Sequence, residues 1–560
     1  MRPPPRGGRS CFPTSRYPHV RAFPVVHLLW PRRGERFLPA LSAVLLAASF
    51  PPLHPLVLPF VGLVPYAAWI RGLPPDREGR RAAVRGSVLF GAVHYGLLFY
   101  WILVALVWFT GLAVLAFLGA MAALMALAAL MGWTLHRAVH EVRAPLWLAL
   151  PVAWTGAEWF RAHWPGPLAF PWLGLGTSLT AYPELVGMAE LVGARGVGFW
   201  LALVNGLLAS LVVTVPGVER RRRLGLAVAA ALAVAVPAAW GFRRAATLEV
   251  RDVGPVALVQ PDIPEHLKLD PPAALDSTLA SLDALMPRLE PGTARFVVMP
   301  EVTFTLYPRG GGSGEVLERV QGYAREAGAP ILFGSLGFAG DERGGTIPYN
   351  SAFLMEPQGL TAYQYDKRHL VPLVERVPLV PGAWLRRLRY FGKFGVGEGW
   401  PLARVDETLL GTLICYESTY PEAARRFRLE GADVLVNITN DSWYGREPLW
   451  TRTTALWQHP AHLVMRAIEN RMGVARAANT GISLFVDPAG RIHGATHLFQ
   501  PDLRVDTLRT TDVVTVYTRW GDVVGRGAAL AAFLLTLAAA ALARGGRVPR
   551  SEGWPPWTDR

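Results

Sequence analysis

The sequence predicts a polytopic α-helical membrane domain of about eight spans that carries an α/β domain between its last two spans. Three observations predict it. Of the 560 residues, 51% are hydrophobic, with a mean hydropathy of +0.26, high for a soluble chain. The apolar excess is uneven: residues 37 to 242 are mostly apolar, 250 to 520 look like a mixed globular domain, and 527 to 543 turn apolar again. Arginines gather in alternate connections between the apolar stretches, the pattern of membrane topology.

Apolar spans are expected near 37–51, 54–70, 86–108, 111–135, 145–163, 196–215, 224–242 and 527–543, several of them close to the ~20 residues that cross a bilayer. The first two are short and separated by Pro51-Pro52, which fits a tight helical hairpin. Arg71, Arg77, Arg80, Arg81 and Arg85 fill one connection, Arg137 and Arg143 another, and Arg220 to Arg223 a third, with Arg544, Arg547 and Arg550 after the last span. The connections at 51–54 and 109–111 have none. If basic loops stay in the cytoplasm, seven spans then place residues 250–520 outside, and the eighth returns the C-terminus. The expected organisation is a basic disordered tail (1–36), a seven-span membrane domain (37–243), the α/β domain (250–520), a C-terminal transmembrane helix (527–543) and a cytoplasmic tail (544–560).

Two distant cysteines, Cys11 and Cys415, exclude a disulfide framework and a cysteine-rich metal site. The 13 histidines show no ligand spacing, so no metal and no cofactor is expected. The net charge of +14 sits mainly in tails and short loops, not on a phosphate-binding face, so nucleic acid is not expected as a partner. Basic residues are almost all arginine: Lys268, Lys367 and Lys393 are the three lysines, and all lie in the α/β domain.

Residues 157–175 set Glu158 and Arg161 beside a dense aromatic and proline patch. Three apart on a helix, the two can pair. The patch reads first as an interfacial aromatic belt, and otherwise as a lipid-level entrance to the outer domain.

In the α/β domain, "PVALVQ" (255–260), "ARFVVMPE" (294–301), "PILFGS" (330–335), "LLGTLICYE" (409–417) and "GADVLVNITND" (431–441) read as strands. "NSAFLM" and "LTAYQYDK" flank the turn Pro357-Gln358-Gly359 as a hairpin, and "VARAAN" and "ISLFVD" flank Thr480-Gly481. Helices are expected near 272–289, 315–327 and 459–472. Alternating strands and helices make a layered α/β domain. Two N-x-[ST] sequons, at Asn437 and Asn440, fall in a segment expected to be buried.

Three of these strands end in a reactive side chain: Glu301, Lys367 and Cys415. Site residues tend to assemble at strand ends of α/β sheets. A cysteine attacking an acyl carbon needs a base and a stabilised thiolate. A carboxylate can take its proton, and a lysine can neutralise the anion that forms. Singly, each has a plainer reading: a small buried hydrophobe, a solvated turn residue, a surface charge. A lysine in a chain that otherwise uses arginine is informative, because an oxyanion suits a compact donor better than a planar fork.

The set resembles the nitrilase (carbon–nitrogen hydrolase) superfamily, whose triad is Glu–Lys–Cys in that chain order. With its membrane spans, most of residues 37 to 543 resembles the apolipoprotein N-acyltransferase family. The resemblance rests on "EWFR" with "FPWLGLG", "VQPDIPEHLK", "MPE", "YDKRHLVPLVERVPL", "ICYE", "NITNDSWYG" and "MRAIENRMGVARAANTGIS". It implies a nitrilase-like α-β-β-α sandwich, Cys415 as nucleophile, Glu301 as base and Lys367 as the lysine. It adds Glu375, Tyr416 and Glu417 as supporting residues. It further implies a phospholipid acyl donor, a diacylglyceryl apolipoprotein acceptor, and a place in the bacterial inner membrane with the catalytic domain periplasmic. The chain departs from the family at Leu269, where Trp is common. The competing readings are a membrane-tethered amidase and an inactive membrane scaffold.

Overall fold

The computed structural model describes residues 36–107, 113–165, 169–213, 220–268, 270–340, 346–372, 374–375, 394–446 and 451–544. Leu269, Lys393, the 109–111 connection and nearly all of both tails lie outside the described residues.

Helix occupies each of the eight expected span positions. The membrane part runs α1 (Phe37–Ala47), α2 (Leu58–Val61), α3 (Val64–Gly72), α4 (Arg77–Phe99), α5 (Trp101–Val107), α6 (Ala113–His140), α7 (Leu146–Ala162), α8 (Ala189–Val212) and α9 (Arg220–Thr247). Among the described residues, five helices are long and apolar enough to cross a bilayer: α4, α6, α8, α9 and the C-terminal helix. The other three positions hold shorter pieces. α1 has 11 residues, α7 has 17, and the second position is split between α2 and α3.

α4 starts nine residues before the apolar run because Asp76 caps it, accepting from the Gly79 amide at 2.9 Å. Arg85 is tolerated inside it by pairing with Glu78 at 2.9 Å. α8 kinks at Gly193 (φ +71°), where a Cβ would lie 2.5 Å from the Tyr517 ring. The helix restarts at Ala194, whose amide donates to Glu469 of the α/β domain at 2.7 Å.

The α/β domain holds two six-stranded sheets. One has the order β12-β1-β2-β3-β4-β5 and the other β11-β10-β9-β8-β7-β6. The strands of the first are β1 (Arg251–Gln260), β2 (Phe296–Val298), β3 (Ile331–Gly340), β4 (Thr346–Glu356), β5 (Gly359–Asp366) and β12 (Asp502–Thr510). Those of the second are β6 (Ala403–Val405), β7 (Thr408–Ile414), β8 (Val434–Thr439), β9 (Gly473–Ala478), β10 (Leu484–Val486) and β11 (Ile492–His493). Helices α10 (Glu265–Lys268), α11 (Pro271–Leu285), α12 (Gly314–Ala327), α13 (Pro421–Leu429) and α14 (Ala455–Asn470) join them. Then α15 (Val516–Trp520) leads into α16 (Val523–Arg544).

Strand periodicity explains why the sheets stack. Val256, Leu258, Phe296 and Val298 share a core with Ile414 and Ile438 of the second sheet. Their neighbours Ala257, Val259, Val297 and Met299 pack instead on Leu282 of α11 and Val320 of α12. Both faces are buried, so these strands read as unbroken apolar runs. Each fully buried Val, Leu, Ile or Phe contributes roughly 1.5–3 kcal/mol. Asn437 and Asn440 are buried as well.

The domain is locked to the membrane helices by the buried ion pair Arg471–Glu190 at 2.7 Å and by Arg195–Glu422 at 3.4 Å, while Arg195 also pairs at 2.6 Å with Asp522 at the start of α16. Glu158 and Arg161 are not paired with each other. Glu158 accepts from Trp154 Nε1 at 2.8 Å and the Leu175 amide at 2.7 Å, and Arg161 donates to the Leu173 carbonyl at 2.8 Å. The chain that follows α7 folds back and offers the Leu175 amide to one side chain and the Leu173 carbonyl to the other.

Candidate active site

The site lies in the seam between the sheets. Glu301 follows β2 and is 2% exposed. Its loop is pressed onto β3 at Gly334, where a Cβ would sit 2.5 Å from the Val302 nitrogen and 2.7 Å from Glu301 Cα. Only glycine permits that approach. Glu301 Oε1 accepts from Asn350 Nδ2 at 2.7 Å, and Oε2 accepts from the Asn440 amide at 2.9 Å, across the seam.

Lys367 follows β5 and is fully buried. Its Nζ donates to Glu301 Oε1 and to Glu375 Oε1, each at 3.0 Å. Glu375 is held in turn by the Val371 amide at 2.8 Å and by Asn350 at 3.0 Å. Burial works against the lysine's charge, but Glu301, Glu375 and Cys415 outweigh it and push its pKa up. The group is an ammonium at any working pH.

Cys415 is the first residue of a short 3-10 turn after β7, 4% exposed and with φ +50°. Burial pushes its thiol well above the usual range, and the Glu301 and Asp441 carboxylates add to this. Lys367 and a hydrogen bond with Thr439 oppose them. The resting group is therefore a neutral thiol that needs a base.

Glu417 binds the two halves together. Its Oε1 accepts from the Arg368 amide at 2.8 Å, the His369 amide at 3.1 Å and the Tyr365 hydroxyl at 2.8 Å, all beside Lys367. Its Oε2 accepts from the Ile414 amide at 2.8 Å, beside Cys415. The Tyr416 hydroxyl reaches the Ala169 carbonyl of the membrane part at 3.3 Å. Its ring stacks on Trp172, 6.3 Å between centroids. Trp172, from the aromatic patch, is fully buried, and its Nε1 donates to Gln458 of α14 at 3.0 Å. This part of the patch is thus the roof of the site, not a surface belt.

The structure brings Glu301, Lys367, Glu375 and Cys415 together, with Tyr416 and Glu417 on the same turn as the thiol. Sequence reasoning missed several partners. Asn350 bridges two carboxylates with one amide group. Lys268 is half-buried and donates to the Val302 carbonyl at 2.8 Å, with its pKa lowered to about 8 by desolvation against the pull of Glu265 and Glu301. Its rarity among the basic residues was a usable signal. His459, Asp441 and Arg476 form a buried polar cluster behind Cys415. Nothing in the pattern of α14 distinguishes His459 from a core residue. Among the described residues, no group of three His, Cys, Asp or Glu side chains is arranged to hold a metal.

The carbon-nitrogen hydrolase family profile matches residues 255–516, and the apolipoprotein N-acyltransferase N-terminal domain matches residues 42–207. The chain is similar to the apolipoprotein N-acyltransferase of Geobacter metallireducens, 32% identical over 520 residues, covering 88% of this chain and 92% of that protein. It is similar to that of Chlorobaculum tepidum at 30%, covering 87% and 93%. Among solved structures, an amidase from Nesterenkonia sp. aligns at 22% identity with a TM-score of 0.31, over 48% of this chain and 93% of that one. A Saccharomyces cerevisiae member of the nitrilase superfamily aligns at 17% with a TM-score of 0.34, over 46% and 91%. The two family matches, in chain order, and the Geobacter and Chlorobaculum relatives that align over 88% and 87% of the chain place it: it belongs to the apolipoprotein N-acyltransferase family.

Proposed function

We propose that Cys415 carries an acyl chain from a membrane phospholipid to the α-amine of an N-terminal diacylglyceryl cysteine, with Glu301 as base and Lys367 as oxyanion donor. The protein is a membrane-associated acyltransferase. The finer reading sets residues 250–520 on the periplasmic side of the inner membrane, with the domain boundaries given above.

In the first half-reaction Glu301 removes the thiol proton and Sγ attacks the ester carbonyl. The carbonyl π pair moves onto oxygen. Among the described residues Lys367 Nζ has two carboxylate partners, so its third N–H can meet that oxyanion. The C–O bond then breaks, Glu301 returns the proton to the departing oxygen, and lysophospholipid leaves an acyl thioester. In the second half the acceptor amine attacks the thioester and Glu301 takes an amine proton; the C–S bond breaks with its electron pair going to sulfur, and Glu301 passes the proton to Sγ, which restores both the thiol and the carboxylate. Asn350 and the Asn440 amide hold the base in place through both halves.

The observation that carries this reading is Lys367 held at 3.0 Å by two buried carboxylates beside a buried thiol. An amidase would need the same triad. The roof built from the membrane part, Ala169 and Trp172 against Tyr416, favours a lipid donor. Incubation with labelled phospholipid and a diacylated lipopeptide tests it: acylated peptide is expected, and free acid alone would make the enzyme a hydrolase.

A further inference from the structure

The mechanism uses the Cys415 side chain, but its backbone is held in an unusual way. At φ +50° a non-glycine residue is strained by about 1–2 kcal/mol and persists only where its surroundings fix it. The surroundings here include a histidine. His459 Nε2 lies 3.1 Å from the Cys415 carbonyl oxygen, and Nδ1 lies 2.9 Å from Asp441 Oδ1.

Both partners are acceptors. A carbonyl oxygen cannot donate. The Asp441 carboxyl is ionised: burial opposes this, but Arg476 and His459 bring its pKa down to about 2. It accepts from Arg476 Nη2 on Oδ2 and from the Thr439 hydroxyl on Oδ1. A neutral imidazole has one N–H and one lone pair, so one of these two short contacts would set a lone pair against an oxygen. We infer that His459 is a positioning residue for Cys415, acting as an imidazolium whose two N–H groups join the Cys415 carbonyl to the Asp441 carboxylate. The inference deepens the proposed function and rests on Cys415 being the nucleophile.

Groups on every side face this ring. Burial is the largest influence on this ring and draws its pKa below the ordinary histidine value, with Arg476 Nη2 at 3.4 Å from Nδ1 acting the same way; the case for the cation is the geometry, two acceptor oxygens that leave no place for a ring lone pair. Asp441 and the Cys415 carbonyl favour it through direct hydrogen bonds. The Trp172 ring does so through its π face, with centroids 5.2 Å apart, and the Tyr444 ring stands at 5.9 Å. The consequence reaches the thiol. Asp441 is one of the two carboxylates that hold the Cys415 proton on, and an imidazolium between them offsets that charge. His459 would therefore fix the turn and ease thiolate formation together.

The pH dependence of Cys415 alkylation tests this, in the full-length enzyme with Cys11→Ala so that one thiol reports. His459→Gln supplies one neutral donor in place of the cation. The midpoint of alkylation should move up by about one pH unit, as expected for loss of a nearby opposite charge. The rate of thioester formation should fall while KM for phospholipid holds. A folded variant with an unmoved midpoint overturns the inference. If the variant does not fold, ¹⁵N-histidine NMR of the unsubstituted enzyme decides. Two protonated ring nitrogens at His459 near pH 7.5 are expected, and a lone-pair nitrogen signal overturns it. Alkylation reports the thiol whether or not it is the nucleophile. Failure of the proposed chemistry would appear separately, as acyl transfer that survives Cys415→Ala.

Discussion

The two sheets of the sandwich have the same pairing pattern and different chemistry. From β12 through β5, and again from β6 through β11, successive neighbours pair antiparallel, parallel, parallel, antiparallel, antiparallel. Helices α11 and α12 sit in the first as α13 and α14 do in the second. Even the turns agree. The chain leaves β1 through Asp262 at φ +58° and leaves β7 through Cys415 at φ +50°. Yet Asp262 is tied to Arg446 by two bonds, of 2.9 and 2.8 Å, while Cys415 faces the seam. The first sheet supplies the carboxylate and the lysine, Glu301 and Lys367; the second supplies the thiol. A strained turn at a strand end therefore does not by itself mark a candidate nucleophile. What matters is the charge that the opposing sheet sets across from it.

Removing the thiol is the most severe way to break this division. Cys415→Ala should lower acyl transfer by at least ~10⁴-fold, as losses of a covalent nucleophile do. With phospholipid alone, the hydroxylamine-sensitive adduct expected on the parent should be absent from the variant and present in Cys11→Ala. Removing the opposing charges should cost less. Glu301→Gln keeps the shape and loses the base, so thioester formation should slow by roughly 10²–10⁴-fold. Lys367→Arg keeps the charge in a fully buried site that fits a compact ammonium between Glu301 and Glu375. Single-turnover rates should fall by about 10²-fold, and near-normal turnover would make Lys367 structural.

Much of this division was legible in the sequence, because Glu301 and Cys415 close unbroken apolar strands and Lys367, at the end of the half-exposed β5, is one of three lysines in a chain that otherwise uses arginine. The runs "ARFVVMPE" and "LLGTLICYE" are unbroken because both strand faces are covered, one by the partner sheet and one by helices. The duplication was not legible. β6 and β11 have three and two residues, too short to leave a pattern, and β12 carries alternating charge that reads as surface. The polar cluster behind Cys415 was hidden for another reason. His459, Asp441 and Arg476 come from α14, the turn after β8 and β9, so only the fold brings them together. In the membrane part, length decided the outcome. The position near 54–70 is apolar throughout, but prolines at N-terminal positions of α2 and α3 divide it into two helices.

The link between the sheets can be weakened without touching the reacting atoms. Glu417 accepts three bonds on the Lys367 side and one on the Cys415 side. Glu417→Gln retains the size but replaces one acceptor oxygen with a donor, which would face the Ile414 amide or the Arg368 and His369 amides. A buried mismatch of this kind costs about 1–3 kcal/mol. The melting temperature should drop, and thioester formation should slow by roughly 10–100-fold through misplacement alone. Glu417→Gln with unchanged stability and rate would mean that the two turns hold their spacing without this carboxylate.

The smallest effect belongs to the counterpart turn, and it sharpens the comparison most. Asp262→Asn leaves a residue that tolerates positive φ and still offers Arg446 one oxygen. The backbone bond from the Asp262 amide to the Asn479 carbonyl, 3.0 Å, is unaffected. The sign of the charge effect follows from the shift. Burial raises the Asp262 pKa, and Arg446 only partly brings it back. An acid whose pKa is higher in the folded state gives stability at low pH that is lost as the pH rises through that value. At neutral pH its charge therefore adds nothing, and replacing it with a neutral amide should leave stability within ~1 kcal/mol, as for other partly exposed pairs. Acyl transfer should change by less than about twofold, because Asp262 lies outside the steps assigned to Cys415, Glu301 and Lys367. Loss of transfer in a folded Asp262→Asn enzyme, without loss of stability, would show that the first sheet's turn takes part in the chemistry and that the division between the two halves is drawn in the wrong place.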